Sequence, residues 1–137
     1  MYLLDTNVLS ELRKVPANPR VKNWVDAQDK ATLFISAVSM LEIRRGIHKL
    51  ELRGDLAQAA IFTAWLQRQI QAAFAGRILS IDQDVAFRAA VLPWPDPNDY
   101  RDALIAATAL VHGATVATRN VRHFEGTGVQ MVNPWES

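Results

Sequence analysis

The sequence predicts an α/β fold with a parallel sheet covered on both faces, and three observations lead there. Short apolar or β-rich runs alternate with stretches of helical spacing along the chain. The helical stretch Ala103 to Val111 carries no charge, so it must be buried nearly all round. The first run, Tyr2-Leu3-Leu4, stops abruptly at Asp5, as a buried strand delivering a carboxylate to a loop would. In open α/β sheets, ligands bind outside the carboxyl ends of strands, where the strand order reverses.

The elements follow in order. Helical patterning from Val8 to about Lys14 is broken by Pro16 and Pro19. Val21, Trp24 and Val25 have the spacing of a short second helix. Thr32-Leu33-Phe34-Ile35 is β-rich and reads as the second strand. Ser36 or Ser39 then caps a helix with Met40, Ile43, Ile47 and Leu50 on one face. Asp55 opens a long helix to about Ala75, with Gly76 as its stop. Arg77 to Ile81 is a third strand, and Asp82 opens a helix through Ala86 and Ala90. Pro93, Pro95 and Pro97 make a rigid connection to a helix starting near Asn98 or Asp99 and ending at Gly113. Thr115 to Thr118 is a fourth strand, Arg119 to Phe124 a polar turn or short helix, and Val129 to Val132 a fifth strand.

Composition limits the function classes. The 137 residues are expected to form one domain, 1–137, without repeats or linkers. No apolar run is long enough to span a membrane, and the first residues lack the basic start of a signal peptide. The absence of cysteine excludes disulfides and thiolate metal sites and fits a cytoplasmic protein. The net charge of +1 provides no global basic field, so any nucleic-acid contact must be local.

Four polar positions share the expected sheet edge. Asp5 ends the first strand, Glu42 lies early in the helix after the second, Asp102 opens the buried helix, and Asn120 follows the fourth strand. Each has an ordinary alternative. Asp5 can be a helix cap, Glu42 can close a capping box with Ser39, Asp102 can serve the helix dipole, and Asn120 can be a turn residue. Together they mean more than singly. Clustered carboxylates raise one another's pKa values, and a divalent cation relieves that repulsion. Oxygen donors suit Mg²⁺ or Mn²⁺. Other chemistries fare worse: His48, His112 and His123 are scattered, and no phosphate-binding glycine loop is present.

Four segments resemble the PIN domain, specifically the VapC-like and FitB-like toxins of bacterial toxin–antitoxin pairs. They are Leu3-Leu4-Asp5-Thr6-Asn7-Val8; Ile35-Ser36-Ala37-Val38 with Leu41-Glu42-Ile43-Arg44-Arg45-Gly46-Ile47; Asp102-Ala103-Leu104-Ile105-Ala106-Ala107-Thr108-Ala109; and Ala117-Thr118-Arg119-Asn120-Val121-Arg122-His123-Phe124. The resemblance spans essentially the whole chain. It implies a three-layer α/β/α sandwich around a parallel sheet of about five strands. It also implies a Mg²⁺- or Mn²⁺-dependent ribonuclease, a homodimer, and an antitoxin partner that blocks the site. Metal-site roles pass to Asp5, Glu42 and Asp102. One departure is Asn120, where many members carry a fourth acid.

The mechanism so implied is hydrolysis of an RNA phosphodiester by a metal-bound water. Asn120 would add an amide oxygen or position a water, and Thr6, Asn7 and Thr118 would support the carboxylates. Arg44, Arg45 and Arg119 are candidates for phosphate contact, with a solvated helix face as the alternative for the first two. A competing class is a regulatory module that binds operator DNA with its partner and keeps a vestigial acidic pocket. A DNA nuclease would share the chemistry and differ in substrate.

Overall fold

The computed structural model describes residues 1–94 and 96–137. A parallel sheet is built from β1 (Tyr2–Leu4), β2 (Leu33–Ser36), β3 (Ile78–Leu79), β4 (Thr115–Ala117) and β5 (Met131–Val132). Its order is β3-β2-β1-β4-β5, every neighbouring pair parallel. The expected five-strand parallel α/β fold is the one observed. β1 is as long as expected and β2 is shifted by one residue, whereas β3, β4 and β5 are shorter than the sequence suggests.

Six α-helices accompany the sheet among the described residues: α1 (Thr6–Arg13), α2 (Pro19–Asp26), α3 (Ala37–Leu52), α4 (Leu56–Trp65), α5 (Gln83–Ala90) and α6 (Arg101–His112). They pack into separate cores. Leu4, Val8, Ile35, Ile43 and Ile47 meet in one, and Leu3, Ile105, Ala106, Val116 and Phe124 in another. Leu3 and Leu4 are adjacent yet belong to different cores, since successive side chains of a strand point to opposite faces. Burying each is worth roughly 1.5–3 kcal/mol. The uncharged stretch of α6 is buried as expected from Ile105 to Ala109, while Val111 at its end is 38% exposed. Its alanines let the helix lie close to the sheet.

Several local expectations are corrected. The long helix after Asp55 is α4 followed by a π-helical segment, Leu66–Gln71, whose wider turn carries Leu66 and Ile70 into the core. The buried helix α6 begins at Arg101 rather than at Asn98 or Asp99. Asp99 stays outside it, accepting the Arg101 N–H at 3.0 Å. Of the two candidate serines, Ser36 is the cap of α3: its backbone is extended and its Oγ accepts the Val38 N–H at 3.0 Å. Ser39 lies inside the helix and fully buried, so the capping box with Glu42 is not formed. Gly113 ends α6 in the left-handed conformation, φ 68°, which glycine adopts without the Cβ penalty. Of the expected rigid proline connection, Pro95 lies outside the described residues. Trp65 packs against the first core, whereas Trp94 is 37% exposed with its indole N–H on the Ala89 carbonyl.

Candidate active site

The sheet order determines where the site lies. From β1 the chain proceeds through β2 and β3 on one side and through β4 and β5 on the other, so the order reverses between β1 and β4. The Asp5 N–H extends the β1–β4 ladder to the Ala117 carbonyl at 2.9 Å. Asp5 and Thr118, each one residue beyond its strand, therefore flank the crevice at the switch point.

Asp5 is held on every side. It is 6% exposed and accepts the Thr6 N–H at 2.8 Å as the cap of α1. The buried Thr118 hydroxyl donates to its other oxygen at 2.8 Å, and the Asn7 amide donates to that oxygen at 3.3 Å. The Asn120 N–H in turn donates to Thr118 Oγ1 at 3.0 Å. Both readings of Asp5, cap and site residue, are thus compatible in one side chain. Thr6 supports the site by its backbone, while its hydroxyl donates to Ser39 Oγ at 2.8 Å and ties α1 to α3.

Glu42, Asp102 and Asn120 reach the same place. A cavity of about 210 Å³ is lined by the acids Asp5, Glu42, Asp99 and Asp102, and also by Asn120, Arg101 and His123. The proline-containing connection does return α6 to the edge where β1 and β4 end. All three carboxylates of the predicted set hold their protons more tightly than usual. Burial is the largest cause for each. Glu42 is pushed up to about 7, by burial first and then by the Asp5 and Asp102 charges, with Arg101 opposing. In Asp5, burial outweighs the Thr118 and Thr6 hydrogen bonds. Asp102 is also raised, although His123 Nδ1 sits 3.0 Å from its Oδ2.

The sequence did not single out three members of this cavity. In sequence His123 is one of three scattered histidines, yet the short 3-10 turn Val121–Phe124 brings it beside Asp102. Arg101 and Asp99 form a bidentate ion pair that draws Asp99 down to about 2. Their spacing around the start of a helix was the available signal. The predicted arginines separate. Arg44 pairs with Glu51 at 2.9 Å on an exposed face, and Arg119 lies over the Trp135 ring at 5.3 Å. Neither lines the cavity. Arg45 lines a groove that adjoins it.

Among the described residues, no group of three or more His, Cys, Asp or Glu side chains is arranged to hold a metal ion by itself. The donor set nevertheless suits Mg²⁺, which binds through one or two carboxylates and keeps several waters. Raised carboxylate pKa values, caused first by burial and then by neighbouring negative charge, are the other sign of fit.

A pH-dependent stability follows from Glu42. Its folded pKa lies above the unfolded value of 4.5, so the folded state holds the extra proton and stability falls as pH rises from about 4.5 to about 7. Glu42→Gln in metal-free buffer should therefore raise the melting temperature at pH 8 and give little gain at pH 4. A gain independent of pH would show that Glu42 is not strained by its charge.

The PIN domain family profile matches residues 2–128, and the chain belongs to the PIN-domain family. Across 99% of both chains it is 38% identical to the VapC ribonuclease Y4jK of Sinorhizobium fredii. Toxin FitB of Neisseria gonorrhoeae is 36% identical over 98% of this chain and 99% of its own. The crystal structure of FitAcB from Neisseria gonorrhoeae matches with a TM-score of 0.87 and 35% identity, covering 100% of both chains. A structure of FitAB bound to an IR36 DNA fragment matches at 0.85, with 36% identity over 98% of this chain and 96% of that one. Within the family, the chain stands with the VapC-like and FitB-like toxins.

Proposed function

We propose that this protein is a Mg²⁺- or Mn²⁺-dependent endoribonuclease toxin, held inactive by a cognate antitoxin. The observation that carries this reading is the cavity at the switch point, where Asp5, Glu42 and Asp102 converge and all resist ionisation. Asp5, Glu42 and Asp102 would hold the ion, directly or through water, with Asn120 contributing its amide. A divalent ion bound there supplies an activated water and neutralises charge on the phosphate. The chain's own contribution is positioning. Thr6, Asn7 and Thr118 hold the Asp5 carboxylate in one orientation, and the Asp99–Arg101 pair sets a guanidinium at the cavity wall.

Partners follow from the relatives. The FitAB complex on DNA supports an antitoxin that also carries the pair to operator DNA. A homodimer is proposed on the same ground, with exposed Phe87 and Val91 at α5 as available apolar surface. Among the described residues no helix is long and apolar enough to cross a membrane, and we place the proposed activity in the cytoplasm.

Incubation of purified protein with RNA and Mg²⁺, with and without chelator, tests the function. Cleavage that chelator abolishes, leaving 5′-phosphate and 3′-hydroxyl ends, is expected, because a metal-activated water does not need the ribose 2′-hydroxyl. Cyclic 2′,3′-phosphate products would rule the mechanism out.

Asn120 sets the expected number of ions. With an amide there, the three acids Asp5, Glu42 and Asp102 carry a formal charge of about −3 when ionised, rather than the about −4 of a four-acid site. One ion should bind firmly and a second weakly, completed by RNA phosphate oxygens. Calorimetric titration with Mn²⁺ should find tighter binding for Asn120→Asp. Two tight sites in the unmodified protein would refute this, as would unchanged affinity in the variant.

A further inference from the structure

The acidic cavity has one permanent cation in its wall. Of the described residues that line it, Asp5, Glu42, Asp99 and Asp102 are acids, and Arg101 alone is always positive. Arg101 directly precedes Asp102 in the chain. Asp99 holds its guanidinium: Nε donates to both Asp99 oxygens at 2.9 Å, and Nη2 donates to Oδ2 as well. Among the described residues nothing accepts from Nη1, and the side chain is 54% exposed. A guanidinium fixes five N–H donors in one plane, so a carboxylate on one edge leaves the other free. Helix stability does not account for this placement. Arg101 is the first residue of α6, where the helix dipole disfavours a cation. The Asp99 carboxylate already accepts the Arg101 backbone N–H at 3.0 Å, with no need of the guanidinium. An ion pair this exposed adds little to stability.

A phosphate entering a cavity of four acids is repelled, and a fixed cation in the wall answers that repulsion. We propose that Arg101 is a catalytic residue that binds a non-bridging oxygen of the scissile phosphate through its free edge, with Asp99 as the positioning residue that holds the guanidinium in place. The inference rests on the ribonuclease reading and adds which side chain of this protein meets the reacting group. In the hydrolysis a water oxygen bonds to phosphorus as the bond to O3′ breaks. The water's hydroxyl stays on the 5′-phosphate and its other proton ends on O3′. Negative charge is spread over the non-bridging oxygens in the transition state, where a donor already held in position stabilises it. A lysine here would supply charge without the fixed fork.

The labelled product strand that carries the 5′-phosphate provides the probe. In Mn²⁺, fluorescence anisotropy should find it bound more tightly by the unmodified protein than the same strand with a 5′-hydroxyl. Arg101→Ala should shrink that advantage by about tenfold to thirtyfold, the worth of a charged hydrogen bond at a half-exposed site, and kcat/KM for RNA should fall by the same factor. Arg101→Lys should recover part of both, and it carries the test if the alanine variant melts early. Asp99→Asn keeps the cation but loosens its hold, so it should lower both by less than Arg101→Ala. Arg88→Ala, exposed on α5, should change neither. Calorimetry should find Mn²⁺ bound no more weakly by Arg101→Ala, because a neighbouring cation repels the ion. A variant that loses Mn²⁺ would show that Arg101 acts through the carboxylates, and would overturn the proposal. An undiminished 5′-phosphate preference in Arg101→Ala would overturn it too, as would no preference in the unmodified protein. If the unmodified protein cleaves RNA and Arg101→Ala cleaves it equally fast, only the arginine assignment falls. If the unmodified protein cleaves no RNA under Mg²⁺, the ribonuclease reading falls with it.

Discussion

Asp5→Asn is expected to lower RNA cleavage by on the order of a thousandfold, while the protein still folds. The size follows from the position. Asp5 is the most buried of the cavity acids and lies at the crevice between β1 and β4. The substitution removes its charge at nearly constant volume. An asparagine oxygen can keep the Thr6 N–H, so the cap of α1 survives. The amide nitrogen then faces Thr118 and Asn7, and Asn7 must turn its own amide over to remain bonded. That loss is set against relief from burying a charge. The metal-free melting temperature should therefore stay within a few degrees. Circular dichroism checks the fold and a labelled RNA checks the rate. Full activity in a folded Asp5→Asn protein would end the metal-site reading.

Thr118→Val should have the next largest effect, although Thr118 was expected only to support a carboxylate. Valine matches its shape but offers no hydroxyl. Thr118 is fully buried and its donation to Asp5 is the strongest influence keeping that carboxylate ionised against burial. Without it, one Asp5 oxygen keeps only the longer Asn7 contact at 3.3 Å. A buried acceptor left short of a partner costs about 1–3 kcal/mol. Losing a group that orients a metal ligand typically costs about 10–100-fold in activity or metal affinity. The pKa of Asp5 should also climb further, so the acid limb of the pH–rate profile should move to higher pH. Thr118→Ser should recover both rate and profile. Equal activity in Thr118→Val and the unmodified protein would mean that the hydroxyl is merely structural.

The corrections share a physical cause. Residue type alone does not choose a helix start, because Ser36, Ser39, Asn98 and Asp99 are all good caps. Which serine caps α3 depends on where β2 stops pairing, and β2 pairs through Ser36, whose partner Leu79 lies in β3. That contact is distant in sequence and leaves no local trace. The Arg101 start of α6 likewise escapes residue type, although its cause is local: the Asp99–Arg101 ion pair takes the aspartate out of the helix. His123 was illegible for another reason: its neighbour Asp102 is on a different element, and no spacing rule links a 3-10 turn to the start of a helix.

By itself the sequence determined the class of fold, the strand that carries Asp5, and three of the four carboxylates that line the cavity. These follow from local properties: apolar runs, helical spacing, and the chemical types of residues at strand ends. Tertiary structure decided the rest. Thr118 reaches Asp5 across 113 positions of sequence because parallel pairing of β1 with β4 sets their carboxyl ends side by side. The same strand order gathers Glu42, Arg101 and Asp102 around that point and leaves Arg44 facing away. It also raises the pKa of Glu42, because burial and neighbouring charge exist only once the chain has closed around the site.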